Sequence, residues 1–171
     1  MSEIRRFRPD LILRSLNGHG VRFVIVGGLA AQAHGSPSLT DDLDVCYARD
    51  RDNLERLAAA LTDLAAIRRG LPIDAPEMPP LNWKTLQAGV LFTFTTRHGD
   101  FDILADPDPG FDYDRLLEHA SQANAQGATV SIASLHDLIE MKRAAGRPKD
   151  RIELEILGAL REEIDRIDST N

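Results

Sequence analysis

The stretch VRFVIVGGLAAQAHGSPSLTDDLDVCY, residues 21–47, sets an apolar run against a glycine pair and crowds three carboxylates into positions 41–44. Val21 to Val26 suits a strand buried on both faces. Glycines directly after a strand let backbone N–H groups approach a ligand unobstructed. If a short alanine-rich helix starts at Leu29 and runs to His34, those amides lie at its positive end, which suits phosphate. A tight strand-to-helix turn would account for Gly27 and Gly28 as well. Neither the P-loop pattern nor G-x-G-x-x-G is present. Gly35 and Pro37 stop the helix, and Leu43 to Tyr47 reads as the second strand.

Alternation along that strand sends Asp42 and Asp44 to one side and Leu43 to the core. Two carboxylates roughly 7 Å apart on one face repel unless a cation lies between them. Magnesium takes one or two carboxylates plus substrate phosphates; solvated acids at a strand start are the plainer alternative. Asp41 belongs to the turn.

Two residues far along the chain bear on that choice. VLFTFTT and FDIL, separated by RHGD, form a hairpin over about residues 90–104. It places Asp102 between Phe101 and Ile103, where a carboxylate is costly unless paired or metal-bound; Asp100 falls at the turn and is expected to be exposed. Ser134 with Asp137 resembles a capping box that opens a helix ending at Ala145 and Gly146. The apolar stripe Leu135, Leu138, Ile139 continues at Lys142, which aims a lysine inward. Its ammonium either snorkels to solvent or serves a phosphate.

The remaining elements are a helix over 9–17, a helix over 51–64 with Leu54, Leu57, Ala58 and Leu61 buried, a helix over 112–120, a strand over 129–132 and a last helix over 148–167. Residues 70–82 hold four prolines and read as an irregular loop of the kind used as a lid or binding segment. Strands alternating with helices indicate an α+β fold, a mixed sheet flanked by helices with C-terminal helices packed on it. One domain over residues 1–171 is expected, with its core over about 20–105 and a helical part over about 110–171.

A net charge of −7 argues against a generally basic nucleic-acid surface. Residues 142–151 nevertheless carry Lys142, Arg143, Arg147, Lys149 and Arg151 against the single acid Asp150, and Arg5, Arg6 and Arg8 form a second basic group that reads as a solvated face. One cysteine, Cys46, excludes an internal disulfide and a cysteine zinc cluster. No apolar run reaches the roughly 20 residues of a membrane helix, so a cytoplasmic protein without a membrane partner is expected.

Gly27-Gly28 after a strand, Asp42 and Asp44 opening the next and Asp102 on a later one together resemble the DNA polymerase beta-like nucleotidyltransferase superfamily. Its small bacterial branch, which includes abortive-infection and type IV toxin–antitoxin nucleotidyltransferases, is matched by Gly27, Gly28, Ala30, His34, Gly35, Thr40, Asp42 and Asp44. The later segment is matched by Ser134, Asp137, Leu138, Ile139, Lys142, Ala145, Gly146, Arg147, Lys149 and Asp150. Larger members carry Gly-Ser where this chain has Gly27-Gly28, and the branch often has arginine where Ser38 stands.

The resemblance implies a transferase that moves a nucleoside monophosphate from an NTP to a hydroxyl, on tRNA, a protein or a small molecule such as an aminoglycoside. A toxin with a cognate antitoxin is the implied setting. Two Mg²⁺ would be held by Asp42, Asp44 and Asp102, with Asp102 also able to act as general base. Gly27, Gly28, Thr40, Arg147 and Lys149 would contact the nucleotide, and Lys142 would neutralise charge on its phosphates. Asp150 reads rather as a helix N-terminal acid, and His34 as a helix-end packing residue. The alternative is a module of the same fold that binds nucleotide or partner without turnover; a metal-dependent phosphohydrolase is a third possibility.

Overall fold

The computed structural model describes residues 6–70, 79–125, 127–148 and 150–170. Through these the chain runs α1 (Pro9–Gly18), β1 (Phe23–Val26), α2 (Gly27–Ala33), β2 (Asp42–Tyr47), α3 (Arg51–Asp63), β3 (Ile67–Arg68), α4 (Trp83–Ala88), β4 (Leu91–Thr96), β5 (Gly99–Leu104), α5 (Tyr113–His119), β6 (Ser121–Ala125), β7 (Ala128–Ile132), α6 (Leu135–Ala145) and α7 (Asp150–Asp168). The strands form one mixed sheet in the order β3-β4-β5-β2-β1-β7-β6. β1 lies at its heart, antiparallel to β2 and parallel to β7, and all four of its residues are buried. That is why its sequence is apolar throughout instead of alternating.

Alternation does govern the strands beside it. Leu43, Val45, Tyr47, Phe94, Phe101 and Ile103 are fully buried on one face of β2, β4 and β5, and the Tyr47 hydroxyl donates to the Leu86 carbonyl of α4 over that face (3.4 Å). Asp42, Asp44 and Asp102 take the other. The core also holds Cys46, whose thiol burial pushes up to about 12, as expected of a small packing residue. In α3 the predicted stripe is buried at Leu54, Leu57 and Leu61, but Ala60 is the fully buried alanine and Ala58 lies only partly covered.

The structure corrects the sequence reading in four places. α2 begins at Gly27, two residues earlier than expected. The hairpin turn is the pair Arg97-His98, so Gly99 and Asp100 are strand residues. α4 follows the proline-rich segment, where no element was expected. β3 and β6 are edge strands that the sequence hides: β3 has two residues, and β6 reads SQANA, with little β propensity. The predicted loop over 70–82 falls largely on residues 71–78, outside the described residues.

The C-terminal helices are anchored by α6, which packs on both α2 and α7. Ser134 caps α6 by accepting from the Asp137 amide (3.1 Å), and Gly146 closes it in the left-handed conformation with φ 59°. No helix among the described residues is long and apolar enough to cross a membrane.

Candidate active site

Register assembles the acidic face. Val26 at the end of β1 lies opposite Asp44, and β2 runs parallel to β5 with Asp42 beside Asp100 and Asp44 beside Asp102. Period-2 alternation therefore puts four carboxylates on one face of two neighbouring strands. Asp42, Asp44 and Asp102 each offer an oxygen within 4.8 Å of the others. All three are half-buried.

The glycine pair is built around these side chains. A Cβ on Gly27 would lie 2.2 Å from Asp44 Oδ2, and Gly27 has φ 67°. A Cβ on Gly28 would lie 2.7 Å from Thr40 Cβ. Two side chains thus fill the space beside the glycines, so the close approach that demands glycine is first an approach of Asp44 and Thr40. Thr40 in turn donates its hydroxyl to Asp42 Oδ1 (2.7 Å). The N-cap of α2, Val26, offers no capping side chain, so the first-turn amides of Gly27 and Gly28 are not satisfied from there.

The electrostatics are strained. Burial, with Asp42 and Asp102 adding like charge, pushes the Asp44 carboxyl up to about 7 despite the opposing pull of Lys142 and Arg69. Burial also raises Asp102 above the usual carboxylate range, although Arg69 counteracts it. A cluster of hard oxygen donors that resists full ionisation fits a divalent cation such as Mg²⁺.

Lys142 does reach this site. Together with Asp42, Asp44, Asp102, Gly27, Gly28, Thr40 and Arg147 it lines a cleft of about 480 Å³. It does not snorkel freely: its ammonium donates to Glu153 Oε2 (2.6 Å) and lies 3.6 Å from Asp150 Oδ1. Arg147 Nε donates to Asp150 Oδ2 (2.7 Å). Asp150 opens α7 as expected. Burial opposes its ionisation, but the hydrogen bond and charge of Arg147, with Lys142, hold it below the usual range. His34 closes α2 and its Nε2 lies 2.8 Å from the Ala133 carbonyl oxygen, a packing role. Lys149 lies outside the described residues. Ser38 lines the cleft, and its carbonyl accepts from the Gln32 amide (2.7 Å).

Three residues of the site escape the sequence pattern. Arg69, just past β3, donates from Nη1 to Asp100 Oδ2 (2.8 Å) and from Nη2 to Asp102 Oδ1 (2.5 Å). Asp100 also accepts from the Thr95 hydroxyl (2.9 Å), so it is a paired strand residue and not the exposed turn acid expected. Its two-residue offset from Asp102 repeats that of Asp42 from Asp44, and that repeat was the available signal. Glu153 becomes a partner of Lys142 only because α7 packs on α6.

No family model matches the chain, and no curated protein matches it. Solved structures do. The lincosamide antibiotic adenylyltransferase LnuA, bound to lincomycin, superposes with a TM-score of 0.59 at 12% identity, over 91% of this chain and 99% of that one. The antibiotic-resistance factor ANT(2″)-Ia, in complex with adenylyl-2″-tobramycin, gives 0.55 at 16% identity over 92% and 89%. A Thermotoga maritima protein assigned as a nucleotidyltransferase gives 0.53 at 14% identity over 97% and 99%. At such identities the likeness shows the fold: the seven-stranded sheet and its helices are of nucleotidyltransferase type.

Proposed function

We propose that the chain is a nucleotidyltransferase that moves a nucleoside monophosphate from an NTP to a hydroxyl acceptor. The observation that carries this is the convergence of Asp42, Asp44 and Asp102 on one point of the cleft that Lys142 also lines. Asp42, Asp44 and Asp102 would hold Mg²⁺, two ions by the resemblance, which would supply charge neutralisation at the phosphates and an activated acceptor oxygen.

The chain's own groups divide the remaining work. Gly27 and Gly28, in the first turn of α2, line the cleft and lack a capping side chain, so their amides can hold phosphate oxygens. Thr40 fixes the rotamer of Asp42 through its hydroxyl. Asp102, kept more basic than an ordinary carboxylate by burial, can accept the proton of the attacking hydroxyl. The acceptor oxygen bonds to the α-phosphorus while the bond to the pyrophosphate oxygen breaks. Lys142 and Arg147 line the same cleft and would meet the departing charge. Lys149 is assigned to nucleotide contact by the resemblance alone.

The lining also bears on the acceptor. Asp42, Asp44, Asp102, Asp108, Asp150 and Glu153 stand against Lys142 and Arg147. Such a field favours a compact, cationic hydroxyl compound over a polyanion. LnuA with lincomycin and ANT(2″)-Ia with adenylyl-tobramycin, which share the fold, are consistent with a small acceptor. A tRNA or protein acceptor and a toxin role rest on the resemblance. That role, and with it a cognate antitoxin, predicts growth arrest on expression of the wild type but not of Asp44→Asn.

Each α-labelled NTP, incubated with Mg²⁺ and separately with aminoglycosides and lincosamides, total tRNA, or cell protein, tests the proposal. Label is expected on a small-molecule hydroxyl, and Asp44→Asn abolishes it. Label on tRNA or protein keeps the transferase and changes the acceptor. Nucleotide bound without transfer to any acceptor would establish the non-catalytic module instead, and phosphate released without an acceptor a phosphohydrolase.

A further inference from the structure

Arg69 holds two carboxylates of unlike standing. It follows β3 on the edge of the sheet, and its amide donates to the Thr93 carbonyl (2.8 Å), extending the β3–β4 ladder. Thr93 and Thr95 of β4 stand opposite Asp102 and Asp100 of β5, so the guanidinium reaches across one strand to the acidic face. Its fork is split, one nitrogen on Asp100 and the other on Asp102. A bidentate grip on a single carboxylate would be the stronger geometry for a purely structural pair. Asp100 is outside the metal-competent triad and is fixed a second time by Thr95. Asp102 belongs to the triad.

A dication on Asp102 would place two cations, the ion and the Arg69 guanidinium, beside one carboxylate, and their repulsion is little screened in a half-buried cleft. We propose that Arg69 is an internal countercation that holds Asp102 against divalent metal in the free protein. It yields that carboxylate, pivoting on Asp100, when the triphosphate of a nucleotide brings compensating negative charge. Arg69 is thus a positioning residue acting through Asp102, and it makes completion of the metal site depend on nucleotide. The inference rests on the metal-site assignment made above.

Mn²⁺ binding to the full chain, followed by the electron paramagnetic resonance signal of the free ion, reads this without catalysis. In the absence of nucleotide, Arg69→Gln is expected to bind Mn²⁺ on the order of tenfold more tightly than wild type, as removal of a neighbouring positive charge requires. Arg69→Lys keeps the charge but cannot span both acids, and is expected to fall between them. With a non-hydrolysable NTP analogue present, the gap between wild type and Arg69→Gln closes to less than about twofold, since differential binding is what the latch controls. A purely structural Arg69 would not show that dependence on nucleotide. Unchanged or weaker Mn²⁺ binding by Arg69→Gln overturns the proposal, and should that variant not fold, unchanged binding by Arg69→Lys does so. The metal site is checked separately by Asp44→Asn, which must lose Mn²⁺ in both the wild-type and Arg69→Gln backgrounds. If neither wild type nor Arg69→Gln binds Mn²⁺ at all, the site assignment falls and the latch with it.

Discussion

The two walls of the cleft both bury carboxylates, yet they leave them in opposite states. On the β2–β5 wall, Asp44 sits against Asp42 and Asp102 and its carboxyl is pushed up to about 7. On the α6–α7 wall, Asp150 is 2% exposed but is held below the usual carboxylate range by Arg147 and Lys142. Burial is common to both and so does not mark the reactive side. What differs is compensation: α6 and the turn after it deliver cations to Asp150, whereas the described residues around Asp44 are chiefly acids. Incomplete pairing is the property that calls for a ligand.

One isosteric substitution made on each wall gives the sharpest test. Asp44→Asn should lower nucleotidyl transfer by about 10³-fold or more, the loss of roughly 4 kcal/mol of transition-state stabilisation. The same change should raise the metal-free Tm, because it removes a buried charge that its neighbours repel. Asp150→Asn should instead lower the Tm, by about 2 kcal/mol of stability, since it strands Lys142 and Arg147 beside a neutral amide. Calorimetry of both variants without metal decides the matter. Two falling midpoints would show that the walls are not electrostatically different.

The pH dependence of metal-free stability reads the same contrast. Asp44 titrates near 7 folded against about 4 unfolded, so between those values the folded state holds more protons. Stability then falls as pH rises from about 4 to 7, by up to about 4 kcal/mol from this group. Asp150 has the opposite sign: its lowered carboxyl contributes stability that is complete above about 4 and lost as pH falls through its folded value. Urea unfolding across that range should show the decline in wild type and a flatter profile in Asp44→Asn. Saturating Mg²⁺ should restore the lost stability at pH 7.

On the uncompensated, open β2–β5 wall the three acids were legible in the sequence; on the paired, closed α6–α7 wall Lys142, Arg147 and Asp150 were, but the partner of Lys142 was not. Asp42, Asp44 and Asp102 betray themselves because period-2 alternation forces acids onto one face of apolar strands, and such acids need a reason. Lys142 stands out likewise, as a charge in line with Leu135, Leu138 and Ile139. Glu153 gives no such sign: on a helix with exposed acids on several sides, it is one carboxylate among many until α7 docks. Arg69 is hidden because β3 is two residues long and carries no periodicity. The glycine pair also meets a second demand, which no local pattern announces: the atoms nearest a Cβ at either position belong to Asp44 and Thr40.

Glu153→Gln asks whether the closed wall is only structural. Glutamine keeps the size and an acceptor oxygen but removes the charge that now holds the Lys142 ammonium at 2.6 Å. If Lys142 must leave Glu153 to meet phosphate, wild type spends part of its binding energy breaking that pair. Releasing it should lower the KM for NTP about threefold to tenfold, the roughly 1 kcal/mol by which a charged hydrogen bond exceeds the neutral one that glutamine keeps, with kcat nearly unchanged. If Lys142 serves only to dock α7 on α6, KM stays fixed while the Tm falls. A fall in KM without a fall in kcat would make the closed wall a reserve of cation, held on an internal acid until a phosphate replaces it. Arg69 and Lys142 would then be two instances of one device, each parked on a carboxylate that the substrate complex displaces.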